Sequence, residues 1–177
     1  MRGKKGQPHH DPRDTPRRRG NHARGHGTWA HDRPAVAAAV GRTSGRLWTR
    51  VARHCGAAEL ITATVLPATV PEAMVYTDAW VGYQSLSQRG RRHATVNHEQ
   101  GEYARDDDGD GIREVHCNTL EGIGTGLRNF LRPFRGVNKV YLEQYVSIFQ
   151  WSYNLKEVTA QFLRVLLGCS VTTKLAT

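Results

Sequence analysis

The chain has 177 residues, 38% of them hydrophobic and 8% aromatic, and a formal net charge of +9, which suits one globular domain with a polar portion. It has no apolar run of about 18 residues, so no membrane-spanning helix is expected, and the opening MRGKKGQPHH lacks the apolar stretch of a signal peptide. Its cysteines, Cys55, Cys117 and Cys169, are far apart and odd in number; they fit neither a disulfide framework nor a zinc site, and a reducing cytoplasm is their natural setting.

The charge is unevenly placed. Residues 1–54 hold thirteen Lys and Arg against three acids, while the rest holds twelve against thirteen. A one-sided basic balance favours a polyanionic partner, nucleic acid above all. A tail that merely aids solubility, or a misassigned start, is the bland alternative. Residues 1–33 are rich in Gly, Pro, Arg and His, include Arg17, Arg18 and Arg19, and show no apolar period. They read as a basic, disordered arm whose cations meet phosphates. The arm's histidines have no cysteines at zinc-ligand spacing.

From Pro34 to Leu167 the pattern is that of a folded core. Ala35 to Val40 is apolar, a turn follows, and Leu47 to Arg53 alternates. This predicts a β-hairpin with one strand buried on both faces and one half-exposed. Residues 57–70 predict a short helix interrupted by Pro67. Met74 to Asp78 predicts a strand ending in a carboxylate, which rigid backbone would hold as a metal ligand requires. Trp80 and Tyr83 are expected to pack the turn that follows.

Asp106-Asp107-Asp108-Gly109-Asp110-Gly111 matches the first half of an EF-hand loop. The match then fails, because Arg113 stands where an apolar residue belongs and Cys117 where the bidentate glutamate belongs. A surface loop is the better reading. The longest helical signal comes next, over residues 115–136. Asn118 or Thr119 can cap it, Leu120, Ile123, Leu127, Phe130 and Leu131 form its apolar stripe, and Arg132-Pro133 ends it. Glu121 and Arg128 are two turns apart and share a face. Residues 137–156 predict a helix whose stripe is Leu142, Tyr145, Phe149 and Tyr153, widened by Val146 and Trp151. Residues 157–167 predict another helix stopped by Gly168, and residues 168–177 a frayed tail.

The short motifs in order are T-D-x-W-x-G-Y from Thr77, Val96-Asn97-His98, Glu102-Tyr103, and H-x-N-T-x-E-G from His116, with Arg128 seven beyond Glu121. This order resembles insertion-sequence transposases of the DDE class, ISXO-type subgroup, across roughly residues 3–167. The resemblance implies an α/β fold with an RNase H-like core, here lacking its first strand. It implies DNA transposition by metal-dependent strand cleavage and transfer, with Mg²⁺ or Mn²⁺ as cofactor and transposon ends and target DNA as partners. Two cations flank the scissile phosphate in such chemistry, and hard cations want carboxylate oxygens.

By the same resemblance Asp78 matches the second acid and Glu121 the third, with Asn118 an alternative third ligand. Arg128 and Arg132, with the arm's arginines, would meet DNA; His98 and His116 would be auxiliary neighbours or plain structural histidines. The family's first acid, in a D-E-x-Y-like motif, has no match. Asp11, Asp14 and Asp32 fall in the arm, and Gly124 stands where relatives carry tryptophan. The expectation is therefore a truncated transposase, inactive alone, in the cytoplasm near the nucleoid, with homo-oligomerisation left open. The alternatives are a non-catalytic basic DNA-binding remnant and a structural domain whose charge is incidental.

Overall fold

The computed structural model describes residues 29–30, 33–54 and 56–168. Most of the expected arm and the tail lie outside the described residues. The fold is mixed α/β, with three two-stranded sheets and helices between and after them.

The hairpin forms where the sequence places it. Strands β1 (Ala35–Val40) and β2 (Leu47–Ala52) pair antiparallel, with Val40 opposite Leu47. Gly45 takes φ +61 in the turn, a conformation costly for side-chain-bearing residues. In β2 the residues Leu47, Thr49 and Val51 are buried while Trp48 and Arg50 face out. The expectation for β1 needs correction: all six of its residues are half-buried. A cavity of about 280 Å³ beside Ala35, Ala37, Leu120, Gly124 and Phe149 leaves this strand partly uncovered.

Residues 57–68 are helical in three pieces: α1 (Ala57–Leu60), a π-helical stretch Ile61–Val65, and α2 (Leu66–Ala68). The wide turn precedes Pro67, which has no N–H to close an α-type bond. Ile61 and Val65 bury against Leu86 from the 3₁₀ segment Val81–Arg89, forming one core cluster with Val75 and Tyr83 at its edge. That segment links β3 (Met74–Asp78) to β4 (Arg92–Val96), which run parallel with Asp78 opposite Val96. Trp80 and Tyr83 meet edge to face at 5.2 Å, the turn-packing role the sequence suggests.

Strands β5 (Ala104–Arg105) and β6 (Val115–His116) form a third, antiparallel pair, and the acidic stretch from Asp106 is the exposed connection between them. Helix α3 (Asn118–Leu131) follows at once, with Ile123 buried at its centre. Its N-cap is Cys117, not Asn118 or Thr119, and no side chain caps it. The 3₁₀ turn Arg132–Phe134 carries Pro133 past the helix end as expected.

Helix α4 (Lys139–Asn154) buries Leu142 and Val146 against Val51 of β2, with Val36, Leu127 and Leu131 around them. Its polar side chains also close the outer edge of β2. The amides of Leu47, Thr49 and Val51 donate to side-chain oxygens of Asn154, Gln150 and Glu143 in turn, and Asn154 Nδ2 returns a bond to the Leu47 carbonyl. Glu143, Gln150 and Asn154 lie on one helix face, so α4 does for β2 what another strand would. Trp151 is not part of the stripe that packs on the core: it is 50% exposed and stacks on Phe162 of α5 (Ala160–Leu166). Gly168, at φ +70, ends that helix.

Candidate functional site

Asp78 is the last residue of β3 and is exposed, with the Trp80 amide 3.4 Å from its Oδ1. Thr77 before it is buried and its hydroxyl meets His93 Nε2 at 2.8 Å, tying β3 to β4 behind the carboxylate. Beyond β4, Asn97 caps a short 3₁₀ turn by accepting from the amides of Glu99 and Gln100. Glu102 accepts from the Asn97 amide and from Arg105, and Arg105 also donates to the Thr95 carbonyl. The bond from Arg105, and after it the bond from the Asn97 amide, hold the Glu102 carboxyl below the usual range. The Val-Asn-His and Glu-Tyr motifs thus build a rigid turn that presents His98.

From that turn His98 Nδ1 reaches Glu121 Oε1 at 3.5 Å. Glu121 sits in the first turn of α3, where the exposed N–H groups favour a carboxylate. Asn118 opens the same helix and is exposed. Cys117 joins β6 to α3. Its thiol is pushed up to about 11 by burial first, then by Asp78 and by Glu121, while Arg42 acts the other way. Tyr83 is raised by burial and by the Asp78 and Cys117 charges. His116 is lowered by burial and by Arg42. Asp78 and Glu121, on separate segments, therefore act on a common neighbour. Tyr83 closes the T-D-x-W-x-G-Y motif, whereas Cys117 and Arg42 are members of this neighbourhood that no motif singled out; only the folded chain brings them together.

Arg128 and Arg132 lie at the far end of α3. Arg128 is exposed and donates to the Thr125 hydroxyl, and both arginines border an open cavity of about 440 Å³ with Leu131, Val137 and Leu142. Arg17, Arg18 and Arg19 lie outside the described residues.

A different set of acids is drawn together on the β5–β6 connection. Asp106, Asp108 and Glu114 each bring one oxygen within 4.8 Å of the others, and among the described residues they are the one such group of three. Asp106 accepts from the amides of Gly109 and Gly111 and Glu114 Oε1 from that of Asp107, while Glu114 Oε2 is buried without a partner; no flanking pair of helices makes the loop an EF-hand.

Residues 3–154 match the family model described as the ISXO2-like transposase domain. The chain belongs to that family. This transposase-family chain is 33% identical over 145 residues to "Uncharacterized protein in transposable element ISH50" of Halobacterium salinarum. That alignment covers 78% of the chain and 45% of the halobacterial protein. A "transposase-like protein" of Haemophilus influenzae is 28% identical over 106 residues, which is 56% of this chain and 77% of that protein. No solved structure matches the chain. Among the described residues no helix is long and apolar enough to cross a membrane.

Proposed function

We propose that this chain contributes the phosphoryl-transfer site of an insertion-sequence transposase, with Asp78 and Glu121 holding Mg²⁺ or Mn²⁺ and DNA as the substrate. The observation that carries this is the placement of Asp78 at the end of β3 and of Glu121 in the first turn of α3, the helix launched by β6, which packs against β3. An antiparallel hairpin, β1–β2, followed in the chain by a parallel pair, β3–β4, is the element order that favours reading the fold as an RNase H-like core.

The donors fit a hard cation. Mg²⁺ is commonly held by one or two carboxylates together with substrate phosphate and water, and Asn118 offers an amide oxygen nearby. When bound, the cation would activate the attacking oxygen or stabilise the leaving one. The chain's own residues do the positioning. Asp78 is fixed by the β3–β4 ladder, Glu121 is met by His98, and burial and Arg42 disfavour the charged form of His116. Arg128 and Arg132 supply cations for the phosphate backbone at the other end of α3, and the arm would add sequence-independent affinity.

One observation favours the non-catalytic alternative. Asp78 and Glu121 share no group of three closely set ligands among the described residues. The chain alone is therefore expected to bind Mn²⁺ and DNA without cutting. Plasmid nicking and Mn²⁺ binding, compared between the chain and Asp78→Ala, test both readings. Mn²⁺ binding that Asp78→Ala abolishes supports the site. Nicking that Asp78→Ala abolishes shows it to be complete, and Mn²⁺ binding indifferent to Asp78 removes the proposal.

A further inference from the structure

We propose that Arg42 is a positioning residue that holds the segment carrying Asp78 against the segment carrying Glu121; its consequence for metal binding rests on the reading above. Among the described residues the three two-stranded sheets share no hydrogen-bonded ladder, so something other than strand pairing must set their relative placement. Arg42 leaves the β1–β2 turn and touches both of the other sheets. Its guanidinium lies over the Tyr76 ring of β3, 3.9 Å from the centroid. Its Nη1 donates to the carbonyl of Glu114 and its Nη2 to that of His116, the latter at 2.7 Å.

The geometry makes this a clamp rather than a chance contact. Glu114 stands just before β6 and His116 ends it; carbonyls two residues apart along extended chain point to the same side, so the fork of Arg42 supplies to this segment the donors that a neighbouring strand would. Tyr76 and Asp78 are likewise two apart and lie on the same face of β3, which places the guanidinium on the face that carries the carboxylate. On the other side, His116 leads through Cys117 directly into the first turn of α3 and Glu121. One side chain thus grips the residue two before Asp78 and the strand that launches Glu121. Its charge also reaches His116 and Cys117. Lysine cannot replace it, because an ammonium has neither the planar fork nor the flat surface that stacks on tyrosine.

The test uses the full chain with its cysteines changed to serine and spin labels at Ala79→Cys and Gly122→Cys, beside the two acids. Ala79 is exposed, and a side chain at Gly122 meets nothing within 4 Å. Pulsed electron resonance is expected to give a narrow distance distribution that broadens in Arg42→Lys, while circular dichroism and cooperative unfolding persist. Mn²⁺ affinity of the unlabelled Arg42→Lys chain is expected to fall about tenfold or more, as small misplacements of ligands do. An unchanged distribution in Arg42→Lys overturns the inference, whatever the metal does. Broadening in Arg42→Lys together with full Mn²⁺ binding in Asp78→Asn upholds the clamp and removes the metal site instead. Should Arg42→Lys fail to fold, Tyr76→Leu takes its place, since it deletes the ring and keeps both carbonyl bonds; the same broadening is expected, and its absence overturns the inference.

Discussion

His98 Nδ1 and Glu121 Oε1 stand 3.5 Å apart, joining the turn after β4 to the first turn of α3. The other imidazole nitrogen, Nε2, is out of solvent with no partner, and the ring leans on Tyr103 at 5.3 Å. The imidazole therefore has one face committed to packing and one nitrogen committed to the carboxylate. Exposed pairs of this kind contribute about 0–1 kcal/mol. Glu121→Gln is accordingly expected to leave the urea midpoint almost unchanged while removing Mn²⁺ binding. A large loss of stability with metal binding intact would make Glu121 a structural residue.

The edge of β2 gives a second, purely structural prediction. Asn154 both accepts from the Leu47 amide and donates to the Leu47 carbonyl. Asn154→Ala strips both groups of their partner in a partly buried place, which costs about 1–3 kcal/mol. Urea unfolding measures it. Asn154→Asp, which keeps the acceptor only, should fall between the two.

Helix α3 carries Gly122, Gly124 and Gly126 in its interior. A Cβ at Gly122 meets nothing, whereas one at Gly126 touches the Phe149 ring at 3.6 Å. Gly122→Ala should therefore stabilise the chain by about 0.5–1 kcal/mol through helix propensity alone. A destabilised Gly122→Ala chain would mean that the position needs a bare backbone.

His93 sets a pH dependence. Burial lowers its pKa below the ordinary histidine value, and its Nε2 meets the Thr77 hydroxyl. A base whose folded pKa is depressed binds its proton more readily when unfolded. Its contribution to stability is thus complete above the unfolded value, near 6.5, and is lost as pH falls toward the folded one. The urea midpoint should drop on acidification from about pH 7, and His93→Gln should flatten that drop. An identical profile in the variant would assign the effect to other groups.

The basic N-terminal segment predicts weak, sequence-independent DNA retention with a steep salt dependence, because counterion release follows phosphate contact. Residues 1–54 carry ten more cations than anions by the difference of thirteen and three. Removal of residues 1–33 should reduce both the retention and its salt slope. Unchanged binding would move the DNA contacts to Arg128, Arg132 and their surroundings.

Local pattern was enough for the elements that carry the acids. The strand Met74–Asp78, the helix from Asn118 to Leu131 and the hairpin of β1 and β2 all follow from period, turn residues and proline, which act over a few positions. The pairing of Asp78 with Glu121 came from motif order and is a proposal, whereas the family itself is shown by the match over residues 3–154. What the sequence could not show is how separate segments meet. The half-burial of β1, the closing of the β2 edge by α4, and the reach of Arg42 to Tyr76 and β6 depend on contacts between residues far apart in the chain. Arg42 is the clearest instance: in the sequence it is one cation in a polar turn, and nothing local separates it from Arg46. Only when the β1–β2 turn lies beside β3 and β6 do its planar donors find two carbonyls on one side of extended chain and a ring to rest on. Such pairings are selected by the free energy of the assembled core, which no local window of residues contains.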